Sequence, residues 1–178
     1  MSVFHVNVSD LKSEIPNIKA GDEVYLSGVI YTARDAAHKK LRELIEKGEP
    51  LPFDMEGSCI YYAGPTPERP GSIIGSCGPT TSSRMDVYVP LLMDNGLICM
   101  IGKGPRNEKV TEAIKKHGGI YFCAIGGAGA LCAMAVKEYE VIAFSELGCE
   151  SVKRMTVKDF PLICGIDCNG GSLFVKGI

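Results

Sequence analysis

Between residues 97 and 144, short apolar runs and amphipathic stretches take turns: LICMIG, GKGPRNEKVTEAIKKHGG, IYFCAI, GGAGALCAMAVKE, YEVIAF. The short runs, rich in β-branched and aromatic residues, read as buried strands, and the segments between them carry helical spacing closed by glycine. Strands separated by helices pair in parallel through right-handed crossovers, so this rhythm predicts an α/β fold with a mixed sheet and crossover helices. The glycine-opened segment 126–138 is one of those helices, and its GGAGAL glycines suit close backbone packing. They lack the strand-bounded Gly-x-Gly-x-x-Gly pattern and downstream acid of a dinucleotide site.

The first half obeys the same rule. DEVYLSGVIYT, residues 22–32, alternates with Val24, Leu26, Gly28 and Ile30 on one side, as a half-buried strand does. ARDAAHKKLRELIEKG then places Ala37, Leu41, Leu44 and Ile45 on one helical stripe, with Gly48 as the stop. SCIYYAG (58–64) reads as a strand, TPERPG as a loop and SIIGS as a short strand. MDVYVPLLMDNG reads as a helix kinked or broken at Pro90 and ended by Gly96. Near the C-terminus, FPLICGIDCNGGSLFVKG reads as two strands joined by an Asn-Gly turn, a local hairpin. With no linker, low-complexity tract or domain-sized repeat, residues 1–178 form a single expected domain.

Composition narrows the compartment and the partners. No apolar run approaches the roughly 20 residues that cross a bilayer, and MSVFHVNVSDLK has no basic region followed by a signal core, so no membrane association and a cytoplasmic location are expected. The net charge of −2, with both signs interspersed, offers no stripe that would follow a nucleic-acid backbone. The 8 cysteines fall mostly inside apolar runs, and the CGIDC spacing of Cys164 and Cys168 is not that of a zinc or redox pair. They are expected to be reduced, structural thiols, with no metal site in this chain.

Three polar clusters stand at expected strand exits, where a β/α domain places its ligands. In TARDAAH (32–38), Arg34 and His38 are four apart at a helix N-terminus, whose free amides favour an anion. Arg34 fits equally a surface ion pair with Asp35 or a nearby glutamate, and His38 a solvated or capping role. In SCGPTTSSRMD (76–86), Gly78 and Pro79 turn the chain and Thr80, Thr81, Ser82 and Ser83 present hydroxyls and amides ahead of a helix expected near Met85. Arg84 adds a fork for a carboxylate. Helix capping explains one of these hydroxyls and leaves the rest. In IGKGPRNEKV (101–110), Lys103 lies between glycines, either a loop lysine in water or a cation open to approach; the phosphate-loop spacing is absent.

Arg34, Arg84 and Lys103 around the alcohol of Thr80 would hold a small di-anion. Yet no paired carboxylates, no Ser-His-Asp or Cys-His arrangement and no metal-ligand spacing accompany them. A lone threonine is a feeble proton acceptor without an adjacent base. The chain reads as half of an active site.

Beyond these arguments, TARDAAHK, YYAGPTP, GPTTSSRMD, IGKG, KHGGIYFCAIGGAGAL, FSELGCESV and VKDFPL, in this order, resemble the C-terminal part of class I, iron-sulfur-dependent fumarate hydratases, a separate β subunit in many prokaryotes. The likeness runs from about Gly21 to the end of the chain. The β subunit of L(+)-tartrate dehydratase shares the ARD-like, GPTTS and GKG motifs. The resemblance implies a swivelling β/β/α domain closing over an α subunit that holds a four-iron four-sulfur cluster, so that this chain carries none of its ligands. It implies interconversion of fumarate and L-malate, with Arg34, Arg84 and Lys103 binding substrate and Thr80 assisting proton transfer; from the clusters themselves, Thr81 joins the substrate-binding candidates and His38 is expected to orient Arg34 or move a proton. It also implies a hetero-oligomer, with a homodimer as the form of the isolated chain. A tartrate-type hydro-lyase and a non-catalytic dicarboxylate-binding or assembly module are the competing expectations.

Overall fold

In the computed structural model, which describes residues 1–68, 70–124 and 129–174, strand β2 (Glu23–Thr32) is the axis of the fold. One edge pairs in parallel with β1 (Val3–Asn7) along its first half and with β3 (Cys59–Tyr61) at its end; the other pairs antiparallel with β7 (Val152–Ile166). From β3 the sheet continues in parallel through β4 (Cys99–Gly102) to β5 (Ile120–Ala124). β5 meets the second half of β7 antiparallel, at Phe122↔Cys164 and Ala124↔Leu162. Because β7 pairs with both β2 and β5, strands β2, β3, β4, β5 and β7 form a ring, with β1 and β6 (Val136–Ala143) attached outside it. The result is a mixed sheet of seven strands in an α/β chain.

Closure gives the chain two apolar layers. One packs between ring strands, with Leu26, Ile30, Tyr61, Phe122, Met155 and Phe160 buried. The other lies between sheet and helices, where Leu41, Met85, Leu92, Met100, Ile114 and Tyr121 meet. Each such side chain contributes roughly 1.5–3 kcal/mol through the water it leaves.

The helices follow from local signals. A four-residue turn, α1 (Leu11–Glu14), buries Leu11. Helix α2 (Asp35–Lys47) buries Ala37, His38 and Leu41 and ends at left-handed Gly48. α4 (Glu108–His117) starts at Asn107, whose side chain accepts the Val110 amide, and ends at left-handed Gly118. α3 (Val89–Asp94) opens with Pro90 in its first turn, so the proline starts this helix instead of kinking a longer one. There its missing N–H costs nothing.

Other expectations change. SIIGS is a bend and not a strand, and the 3-10 turn Ser82–Met85 replaces the helix start near Met85. α5 (Gly129–Ala135) runs straight into β6, which begins at Val136 and pairs antiparallel with β7, not in parallel. The glycine opening at 126–128 lies outside the described residues. At the C-terminal hairpin the Asp167 carboxylate accepts the amides of Asn169 and Gly171, and the return strand is reduced, among the described residues, to one bridge between Ile166 and Ser172. β1 and the first half of β7 had no counterpart in the expected elements.

Candidate active site

The parallel run of β2, β3 and β4 puts three strand exits on one edge: Arg34 follows β2, Gly64 follows β3 and Lys103 follows β4. The segment 79–84 is laid across that edge by main-chain bonds. Pro79 bridges Ala63, the Thr80 amide donates to the Tyr62 carbonyl at 2.7 Å, and Thr81 bridges Lys103. Ser82 locks the join. Its amide donates to the Lys103 carbonyl at 3.0 Å, while its buried hydroxyl accepts the Lys103 amide at 2.9 Å. Tyr121 donates its one proton to the Gly104 carbonyl at 2.8 Å, so the Ser82 hydroxyl donates to Tyr121 at 2.9 Å. A side chain at position 102 would strike the Ser82 hydroxyl and the Tyr62 ring, so the first glycine of GKG serves close packing of backbone. Of the adjacent hydroxyls, Ser82's belongs to the fold, whereas Thr80 is half-buried and Thr81 and Ser83 are exposed.

The two arginines are held by carboxylates of their own chain. Arg34 sits at the N-cap of α2 in an extended conformation, its guanidinium 3.1 Å from Glu150 and packed on Gly64. Glu150 also takes the Ala36 amide at 3.4 Å. Arg84 grips Asp35 with both ends of its fork, at 3.0 and 2.9 Å, with 49% of its side chain exposed. The ion pair anticipated for Arg34 therefore goes to Glu150, distant in sequence, and Asp35 goes to Arg84. The Lys103 side chain is exposed. Asp35, Glu150 and the loop contacts were not legible in local spacing, because each crosses between segments far apart along the chain.

His38 is not in water, and its link is to the main chain of Arg34. Its ring is fully buried, facing inward from α2 edge-on to Tyr62. The Arg34 carbonyl accepts both its amide, at 2.8 Å, and Nδ1–H, at 2.9 Å, which leaves Nε2 unprotonated. The ring is therefore neither solvated nor placed to exchange a proton with a bound molecule; it fixes the backbone of Arg34. Burial, opposed by the bond to Arg34, lowers its pKa from 6.5 to about 4. Unfolded chain takes up a proton below about 6.5 that folded chain refuses until about 4, so this contribution is intact above that window and drains away as pH falls through it. His38→Gln is expected to remove of order 3 kcal/mol of that pH dependence, read as the difference between the urea stabilities of the two proteins at pH 7 and pH 4.

Beneath the edge lies a buried ion pair that spacing did not reveal. Arg106 donates to Asp86 at 2.7 Å, with side-chain exposures of 0% and 4%. The other carboxylate oxygen takes the Asn107 amide at 2.8 Å, and the guanidinium lies against the rings of Tyr62 and Tyr121. The last residue of the RMD triplet thus ties the hydroxyl segment to the lysine loop.

Among the described residues, a hollow of about 470 Å³ lies between residues 66–76 and α5 and another of about 660 Å³ beside Asp86 and Glu108; Arg34, Thr80, Arg84 and Lys103 line neither. Arg34, Thr80, Arg84 and Lys103 stand on an open edge. Among the described residues no three His, Cys, Asp or Glu side chains group to hold a metal ion, and burial raises the pKa of Cys77, Cys99, Cys123, Cys132 and Cys164, which favours the thiol over the metal-binding thiolate. The residues present do not fit an iron-sulfur cluster. What this edge offers is cationic fixation of an anion beside an alcohol, with the adjacent carboxylates engaged by arginines.

The family model described as the fumarase C-terminus matches residues 2–177. The chain is 41% identical over 171 residues to fumarate hydratase 2 of Leishmania major, an overlap of 95% of this chain and 30% of that protein. It is 40% identical over 169 residues to the anaerobic class I fumarate hydratase of Escherichia coli K12, covering 94% of this chain and 31% of that one. It thus spans about 30% of the length of these relatives. A Methanocaldococcus jannaschii protein provisionally named L(+)-tartrate dehydratase subunit beta is 39% identical over 169 residues, covering 92% of this chain and 87% of that protein.

Proposed function

The chain belongs to the fumarase C-terminus family, and from that premise we propose that it is the β subunit of a hydro-lyase interconverting fumarate and L-malate, active with an α subunit. The observation that carries this reading is the common edge at the ends of β2, β3 and β4, where Arg34, Thr80, Arg84 and Lys103 are gathered. Arg34, Arg84 and Lys103 bind and orient the two carboxylates, with Thr81 lining the same edge. Tightening of these contacts as charge builds on one carboxylate accelerates the reaction as well as binding substrate. Thr80, its backbone fixed by Tyr62, hands on a proton at the carbon next to that carboxylate. Its hydroxyl needs a base, and Asp35 and Glu150, the carboxylates that hold the site's arginines, are engaged in those ion pairs, so the base comes from the α subunit. Lewis-acid polarisation of the substrate hydroxyl would come from a four-iron four-sulfur cluster held by that subunit, and this chain's residues would orient the substrate towards it. The ring-closed domain acts as a swivelling β/β/α lid over the partner, in the cytoplasm.

Anaerobic mixing with the α subunit, after iron and sulfide reconstitution, is expected to give fumarate hydration, monitored by the loss of the ultraviolet absorbance of its conjugated double bond. A complex with a spectroscopically proven cluster and no turnover would sink the reading. The isolated chain is expected to bind fumarate weakly or not at all by calorimetry, whereas tight binding would favour a sensor. The Methanocaldococcus relative, coextensive with this chain over 87% of its length, supports L-tartrate as a second substrate to include in the assay.

A further inference from the structure

The segment FSELGCESVK, residues 144–153, has no part in the function proposed above. It leaves β6 at Phe144 in a left-handed turn, passes through a 3-10 stretch kinked at Gly148, and enters β7 at Val152. At the kink its carbonyls turn inward onto one group. The Lys153 ammonium, on a residue 6% exposed, lies 3.3 Å from the Gly148 carbonyl, 3.1 Å from that of Cys149, and 3.2 and 2.8 Å from the carbonyl and hydroxyl of Ser151. The nearest acidic side chain in this segment, Glu150, is not its partner. It points the other way, to Arg34 at 3.1 Å and to the Ala36 amide at 3.4 Å.

Lys153 is also tied directly to the strand that delivers Arg34. It faces Thr32 in the β2–β7 register, and its amide donates to the Thr32 hydroxyl at 3.3 Å. One lysine thus joins the end of β2, the kinked segment and, through Glu150, the guanidinium two residues beyond Thr32. The Gly148 carbonyl also accepts the Ser151 amide at 3.1 Å and the Ser151 carbonyl the Thr32 hydroxyl at 3.5 Å, so the buried ammonium adds a common donor that draws these oxygens and that of Cys149 together and holds the kink.

We propose that Lys153 is a positioning residue for Arg34: its ammonium group fixes residues 148–151 so that Glu150 sets the direction in which the Arg34 guanidinium meets a substrate carboxylate. The assignment rests on the fumarase reading for its substrate and on this chain alone for its coupling. Lys153→Met removes the charge and keeps the length of the side chain. In the complex with the α subunit it is expected to raise KM for fumarate about tenfold or more, as misplacement of an orienting group does. On an Arg34→Lys background the same change is expected to add less than about twofold, because the two act through one contact. A purely structural lysine would give equal losses on both backgrounds, and that result overturns the proposal, as does an unchanged KM.

Glu150→Gln guards against a variant that does not fold. It leaves the lysine cage intact, and an unchanged KM there also overturns the proposal. Hydrogen exchange on the isolated chain separates this inference from the functional reading. If the wild-type complex does not hydrate fumarate, that reading fails, while faster exchange of the Ala36 amide in Lys153→Met still supports the coupling and unchanged exchange refutes it.

Discussion

If the proposed function holds, replacing Arg84 with alanine is expected to lower kcat/KM for fumarate in the complex with the α subunit by about 10²–10³, the usual effect of removing one charge-stabilising donor from an active site. The fold barely notices. The arginine's only charged partner among the described residues is Asp35, the side chain is about half exposed, and such a pair contributes 0–1 kcal/mol at most. Urea denaturation of the isolated β chain is therefore expected to keep its midpoint, and steady-state kinetics of the complex carry the loss. Arg84→Lys retains the charge and loses the fork, so its activity falls between the two. An alanine variant with wild-type kcat/KM would remove Arg84 from the carboxylate clamp.

Arg106→Met has the opposite profile: a large loss of stability originating beneath the site. Asp86 would keep the Asn107 amide and lose the one ion-pair partner it has among the described residues in a setting 4% exposed, and breaking a buried pair in this way costs about 3–5 kcal/mol. For a chain of this size the thermal midpoint is expected to drop by roughly 10 °C. Adding Asp86→Leu removes the stranded carboxylate and is expected to recover much of the loss, because two apolar groups substitute well for a buried pair. If Arg106→Met alone left the midpoint within about 2 °C of wild type, the staple between the hydroxyl segment and the lysine loop would carry no weight. Activity would fall with stability in this case, because Thr80, Arg84 and Lys103 depend on the same join.

The two arginines illustrate how much of this site was legible in the chain. Arg84 stands out because a fork beside clustered hydroxyls after a Gly-Pro turn suits an anion. Arg106 sits in an ordinary loop, four residues from the end of β4, and nothing nearby reveals that its charge is buried against Asp86, 20 positions away. His38 was legible as a neighbour of Arg34, but its burial was not. Spacing put it on Arg34's side of α2, but Arg34 is extended and lies outside the helix, so the four-residue rule does not apply, and packing against Tyr62 turned the imidazole inward. Among the elements, α2 and α4 were read with their glycine stops because capping and periodicity are local. β1, the first half of β7 and the direction of β6 were not, because a strand's partner and direction are set by tertiary pairing and not by its own residues, as in the pairing of β2 with β7 across more than a hundred positions.

By itself the sequence determined the α/β rhythm, the parallel run from β2 to β5, and the cations and alcohol that stand at its strand exits. These rest on periodicity, turn chemistry and residue type, which act within a few positions. Tertiary structure alone decided that β7 closes the ring, that Asp35 and Glu150 hold the arginines, and that His38, Arg106 and Lys153 lie beneath the edge. Desolvation and charge pairing depend on which distant segments share a dry interior, and only the folded chain sets that.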